Sequence, residues 1–174
     1  MTARPGDLTY RPLAPGDAPR LHEIMSDRAV VRQLGSWPWP PDPAFTERRA
    51  KPYEGEGFVW GVFEEGALVG SLGVTPYRHR VEIGYAYDLA AAGRGIATRA
   101  GADALDHAFA HFDWPQIQAT VWHDNPASAR VLEKLGFDHW STRFDVARAR
   151  GLPTLVQCYR LTRARWHGLR SAAQ

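Results

Sequence analysis

The chain has 174 residues, enough for one ordinary domain and small for two independent cores. Apolar residues make up 44% and charged residues 23%, which excludes bulk disorder, and no apolar run reaches the roughly 18 residues of a membrane span. The net charge of +2 is too small to signal nucleic-acid binding by itself, and the lone Cys158 excludes an internal disulfide and a cysteine-cluster metal site. Residues 1–10 hold no apolar segment of the secretory kind, so a cytoplasmic protein is expected.

In chain order, Leu8 to Leu13 predicts a short first strand. Asp17 is placed to cap a helix running to Ser26, with Leu21, Ile24 and Met25 on its buried face. Val30, Val31 and Leu34 suggest a further helical turn stopped at Gly35. The run Trp37-Pro38-Trp39-Pro40-Pro41 excludes regular structure and sets two large aromatics on a stiff loop, and a helix follows from Asp42 to Lys51. Phe58 to Phe63 and Ala67 to Val74, joined at Glu64-Glu65-Gly66, read as a hairpin. Val81, Ile83, Tyr85, Tyr87 and Leu89 alternate along a third strand, with Glu82, Gly84, Ala86 and Asp88 on its other face. After a glycine turn, Leu105, Ala108, Phe109 and Phe112 mark the buried stripe of a helix from Gly95 to Phe112. Gln116 to Trp122 is a strand, Asn125-Pro126 opens a helix that stops at Gly136, and two strands follow. The order is that of an α/β domain around a mixed sheet. Its expected bounds are 8–162, with a basic tail over 163–174.

Two turns carry chemistry. Gly93-Arg94-Gly95-Ile96-Ala97-Thr98 lies between a strand and a helix, where unpaired N–H groups and the helix dipole suit phosphate oxygens. A plain packing turn has the same spelling. No Lys follows, as a P-loop requires, and Thr98 stands where a dinucleotide fingerprint has its third glycine. Asn125 precedes Pro126 as an N-cap precedes the first helical residue. Ser128 shares the buried stripe with Val131, Leu132 and Leu135, so its hydroxyl needs a partner: a carbonyl one turn back, or a ligand. His107 and His111 lie four apart on one helix, but nothing else supplies metal ligands at a recognisable spacing, and no metal is expected. Lys51 and Lys134 are the only lysines among 21 basic residues. Seven arginines between Arg143 and Arg170 face one acid, Asp145. They read either as a solvated strand pair with a loose tail or as a surface for an anionic partner such as ribosome or nucleic acid.

Glu82-Ile83-Gly84-Tyr85, the turn Gly93 to Thr98, and Asn125-Pro126-Ala127-Ser128 through Leu135-Gly136-Phe137 together resemble the GCN5-related N-acetyltransferases (GNAT). Arg11-Pro12-Leu13 with Asp17-Ala18, and Trp37-Pro38-Trp39-Pro40, are similar to the Rim-type branch, which acetylates the N-terminal amine of ribosomal proteins. The resemblance covers residues 8 to 162 and implies a mostly antiparallel sheet splayed between its fourth and fifth strands, with helices on both faces and acetyl-CoA in the gap. It implies backbone contacts to the cofactor from Tyr85, Ala86 and Tyr87, a diphosphate wrapped by Gly93, Arg94, Gly95, Ile96, Ala97 and Thr98, and a pantetheine contact from Asn125. Arg130 or Lys134 would meet the phosphates of CoA. Ala92 stands where Arg or Gln is frequent, Leu132 where many members carry a Tyr that protonates the leaving thiolate, and Arg99 replaces a common acid.

Acetyl transfer needs a neutral amine, a polarised carbonyl and a protonated leaving sulfur. Ser128 is the expected acid and Glu82 the expected base, with a backbone N–H near Tyr87 polarising the carbonyl. Trp37, Trp39 and Tyr53 are the expected roof of the amine pocket. The acceptor reads as a protein N-terminal amine, with a small amine (polyamine, antibiotic or metabolite) as the alternative and a non-catalytic CoA-binding regulator as the third reading. Family analogy implies a homodimer.

Overall fold

The computed structural model describes residues 6–172. Residues 1–5, within the stretch read for a secretory signal, and 173–174, at the end of the expected tail, lie outside the described residues. Seven strands form one sheet in the order β1-β2-β3-β4-β5-β7-β6. These are β1 (Leu8–Arg11), β2 (Phe58–Glu64), β3 (Ala67–Tyr77), β4 (Arg80–Tyr87), β5 (Gln116–Trp122), β6 (Asp138–Val146) and β7 (Pro153–Thr162). Every neighbouring pair is antiparallel except β4 and β5. That parallel pair shares a single register position, Glu82 opposite Gln118, before the strands part.

The helices are α1 (Ala18–Met25), α2 (Arg28–Val31), α3 (Pro43–Arg49), α4 (Ile96–His111), α5 (Pro126–Lys134) and α6 (Arg163–Ala172). None is long and apolar enough to cross a membrane. On one face of the sheet α4 buries Ala100, Ala104, Leu105 and Ala108 against Val62, Leu72, Val74 and Ile83. Alanines at this four-residue spacing let the helix axis lie close to the strands. On the other face Leu21, Ile24 and Met25 of α1, with Val30 of α2, cover Phe63, Leu68 and Ala86. β4 is therefore covered on both sides rather than apolar on one, and Ala86 is buried where its alternation pattern put a polar face. Leu89 leaves that pattern: it sits half exposed in a 3-10 turn over Leu89–Ala91 whose first residues are capped by Asp88.

Asp17 does not cap α1 with its side chain. A 3-10 turn, Pro15–Asp17, precedes the helix, and the Asp17 carboxylate accepts the Ala14 N–H at 2.8 Å while pairing with the Arg11 guanidinium at 2.7 Å. That guanidinium holds the Asp17 carboxyl below its ordinary pKa. Gly136, at φ 86°, closes α5, with the Phe137 N–H reaching back to the Leu132 carbonyl.

The segment expected to be a basic tail is instead helix α6 through residue 172. Trp166 is buried, and its indole N–H donates to Asp106 Oδ1 at 2.9 Å. Arg163 donates to the carbonyls of Phe109, Phe112 and Trp114, Arg165 Nε donates to the Gly136 carbonyl at 2.6 Å, and Arg170 pairs with Asp106. The charge pattern that suggested a solvated tail is consumed by long-range acceptors. Removing so large a buried side chain leaves a cavity, so Trp166→Ala is expected to cost about 3–5 kcal/mol in urea unfolding. A loose α6 would show no loss.

Candidate functional site

A cleft of about 990 Å³ opens where β4 and β5 part, lined by Ile83 to Tyr87 on one side and Ala119 to Trp122 on the other. Strand amides alternate in direction, and the Asp88 N–H bonds the Val69 carbonyl of β3 at 2.9 Å. The Tyr85 and Tyr87 N–H groups therefore point to the open edge. The Ala86 carbonyl faces β3, where a Cβ on Gly70 would lie 2.4 Å from it, so Ala86 lines the cleft without turning this carbonyl to it.

At the mouth of α4, Gly93 and Gly95 both take φ 74°, a left-handed conformation that glycine adopts without strain. A Cβ at either would meet nothing within 4 Å, so the approach is open. Gly95 is the N-cap and brings no side chain to the N–H groups of Ile96, Ala97 and Thr98, which have no carbonyl four residues back within the helix. Those donors, at the positive end of a 16-residue helix, fit a diphosphate. Gly93, Gly95, Ile96, Ala97 and Thr98 line the cleft. The Arg94 side chain turns away and pairs with the buried Glu64 at 2.7 Å, so its guanidinium holds the turn rather than a phosphate.

Asn125 is the N-cap of α5, its Oδ1 accepting the Ser128 N–H at 3.2 Å, and it also lines the cleft. Arg130 and Lys134, one turn apart on α5, are exposed, line the cleft, and have no carboxylate partner among the described residues. The Ser128 hydroxyl, which lines the cleft, does not turn back to a backbone carbonyl. It lies 2.8 Å from the Tyr85 hydroxyl, which crosses from β4. Burial pushes the Tyr85 phenol up to about 12, with the Ser128 hydrogen bond opposing, so it stays protonated at neutral pH. Sequence reasoning had given Tyr85 a backbone role only. Its place on the α4 face was legible from alternation, but its reach to Ser128 was not. The Tyr87 ring lies on Gly70, and its buried hydroxyl has no partner among the described residues.

On the opposite face of β4, Glu82 sits where the strands part and accepts from Arg80 Nε at 2.6 Å. Ser71, Gly73 and Gly84 leave a trough of small residues beside it. Arg143 pairs with Asp145 at 2.8 Å and donates to the buried Cys158 Sγ at 3.0 Å. Trp37 lines this half and packs edge-on against Phe45 at 5.2 Å. Trp39 and Tyr53 do not line the cleft. Trp39 is exposed under the Arg28 guanidinium, and Tyr53 folds over Gly55. Arg49, which sequence reasoning passed over, does line it. His107 and His111 stack at 4.1 Å, and no group of three metal-ligating side chains occurs among the described residues.

The sequence pattern of the acetyltransferase (GNAT) domain matches residues 7–138. The uncharacterized N-acetyltransferase YnaD of Bacillus subtilis (strain 168) is 27% identical over 125 residues, which span 67% of this chain and 70% of YnaD. RimJ of Mycobacterium smegmatis, solved in complex with CoA-disulfide, superposes with a TM-score of 0.76 at 22% identity, over 97% of this chain and 90% of RimJ. Spermidine N-acetyltransferase of Vibrio cholerae, solved with CoA and spermine, superposes with a TM-score of 0.73 at 19% identity, over 92% and 98% of the two chains. At these identities the two structures speak to the fold.

Next to the α5 cap, Asp124 receives Arg150 at 2.7 Å from the β6–β7 loop and Arg32 at 2.7 Å from the end of α2, tying both to the cleft. The hydrogen bond from Arg150 is the chief reason its carboxyl titrates below the ordinary value. A carboxylate whose folded pKa is depressed adds stability that is complete above its unfolded pKa and lost as pH falls through the folded one. Asp124→Asn is therefore expected to cost about 1 kcal/mol at pH 7, a figure kept small by the partial exposure of the pair. In thermal melts across pH the gap to wild type should close below about pH 4. A gap that stays constant into acid would refute the assignment.

Proposed function

The chain belongs to the GNAT family of acetyl-CoA-dependent N-acetyltransferases, and from that premise we propose that it acetylates the N-terminal amine of a polypeptide. The observation that carries the acceptor reading is electrostatic. All three carboxylates that line the cleft are already held by arginines: Glu82 by Arg80, Asp88 by Arg20 and Asp145 by Arg143. A polyamine with several ammonium groups would meet no carboxylate there that lacks an arginine partner, and it would face Arg49. An N-terminal amine brings one charge, which it loses before reacting. The likeness of Arg11-Pro12-Leu13, Asp17-Ala18 and Trp37 to Pro40 to the Rim-type branch supports the same reading. The Ser128–Tyr85 hydroxyl pair argues against a binding module without turnover.

When bound, acetyl-CoA supplies a thioester whose carbonyl carbon accepts the amine and whose sulfur leaves. The amides of the α4 mouth, from Gly93 through Thr98, would hold its diphosphate, with Arg130 and Lys134 meeting its phosphates. Asn125 spends Oδ1 on the α5 cap and keeps its amide nitrogen for the pantetheine arm. The Tyr85 and Tyr87 N–H groups on the open edge of β4 would take the pantetheine amide and polarise the thioester carbonyl. Glu82 Oε1 is engaged by Arg80, which leaves Oε2 to accept the amine proton, directly or through water. With the Tyr85 O–H as donor to Ser128 Oγ, the Ser128 proton is free for the departing thiolate, and Ser128 regains a proton from solvent entering the cleft.

With acetyl-CoA and a free-N-terminus peptide, followed by thiol release, Ser128→Ala is expected to lower kcat about 100-fold and Tyr85→Phe about tenfold. Wild-type kcat in Ser128→Ala would remove the acid assignment. Turnover of spermidine above every peptide would overturn the acceptor reading, and cofactor binding without release for any amine would leave a regulatory module.

A further inference from the structure

The amine entrance continues onto a cluster of arginines that lack ion-pair partners. Phe45, Arg48 and Arg49 of α3 stand at i, i+3 and i+4, hence on one helix face, and Glu47 falls on the opposite side. The guanidinium of Arg48 lies 5.7 Å from the Phe45 ring centre, that of Arg49 5.0 Å and that of Arg148 5.3 Å. None of the three has a carboxylate partner among the described residues. On the acceptor side, by contrast, Arg20, Arg32, Arg143 and Arg150 each hold an aspartate, and the other unpaired cleft arginine, Arg130, lies across on α5. Three like charges around one ring are held by the ring face but still repel one another, and an anion placed among them relieves that repulsion.

The cluster is continuous with the acceptor half of the cleft. Arg49 lines it, Phe45 packs edge-on against Trp37, which lines it, and the Arg148 N–H bonds the carbonyl of Gly35, which lines it too. We propose that the Phe45–Arg48–Arg49–Arg148 cluster receives acidic side chains that follow the acceptor amine, so that the preferred substrate is a polypeptide with Asp or Glu close behind its N-terminus. This rests on the N-terminal acceptor reading above. A nucleic acid would also suit guanidiniums, but it carries no aliphatic amine for the cleft, and one molecule must satisfy both places. The unpaired charges also gather around one ring instead of running as a stripe.

The test compares peptides that share a first residue and then carry three acidic, three neutral or three basic residues. Acidic peptides are expected to show kcat/KM about tenfold above neutral ones at low salt, a preference that shrinks as ionic strength rises. The Arg48→Glu, Arg148→Glu double variant should shift the preference to basic peptides, whereas Arg160→Glu, on β7 between β5 and β6 and outside the cleft lining, should keep it. Both cluster positions are exposed, and Arg148→Gln, which keeps the bulk of the side chain, should halve or further reduce the preference if the double variant melts early. Equal turnover of acidic and neutral peptides overturns this inference and leaves the N-terminal acceptor reading standing. Failure of every peptide, with turnover of small amines, overturns both. Binding of an RNA oligonucleotide that the double variant loses, with no acidic preference among peptides, would assign the cluster to nucleic acid and overturn the proposal.

Discussion

Everything at the site depends on two neighbouring parallel strands giving up their pairing. β4 stays bonded to β3 along its whole length, and β5 to β7 along its own, so each half of the sheet is rigid. Between them only Glu82 and Gln118 are in register. An amide left without a partner in a dry interior costs about 1–3 kcal/mol, so such an edge persists only where water or a ligand can reach it. The cleft provides that access, and it exposes the amides best suited to an extended thioester arm. Placing the glycine turn at the end of the same strand puts phosphate donors and carbonyl donors on one continuous line of backbone.

The same parting brings the two faces of the sheet into contact. α4 and α5 close one face with small and apolar side chains, while α1 and α2 close the other. Only where β4 and β5 separate can a group on the α5 side meet a group approaching from the α1 side. Ser128 and Tyr85 stand on the first, and Glu82 with its arginine stands on the second. The proposed acid and base are thus kept apart by the strand itself.

Much of this was legible in the amino-acid order, because it depends on local chemistry. Gly95 as the start of α4, Asn125-Pro126 as the start of α5 and Gly136 as its end are signals that a few residues carry alone. What stayed hidden depends on distant partners. Asp17 looked like a helix cap until Arg11 and the Ala14 amide claimed it. Trp39 and Tyr53 carry large aromatic rings, and no local signal shows that the loops on either side of α3 turn them outward. Arg163 and Arg170 of α6 look solvated from sequence because their acceptors, carbonyls at the end of α4 and Asp106, lie some fifty residues or more away.

Leu132 shows how the hydroxyl chemistry was redistributed. It is fully buried in the core beneath α5, at the position where the family resemblance implies a tyrosine. A leucine there packs the helix onto the sheet and offers no proton. The only serine on α5 lies one turn earlier, at the very start of the helix, where a single hydroxyl could as well turn back to its own backbone. Tyr85 prevents that. Its phenol, kept protonated by burial, lies 2.8 Å from Ser128 Oγ across the opposite wall and gives that hydroxyl a partner other than its own backbone. In the proposed mechanism the pair would do from two elements what one tyrosine does from one, and its position depends on how far β4 stands from α5, a distance set by the parting of the sheet.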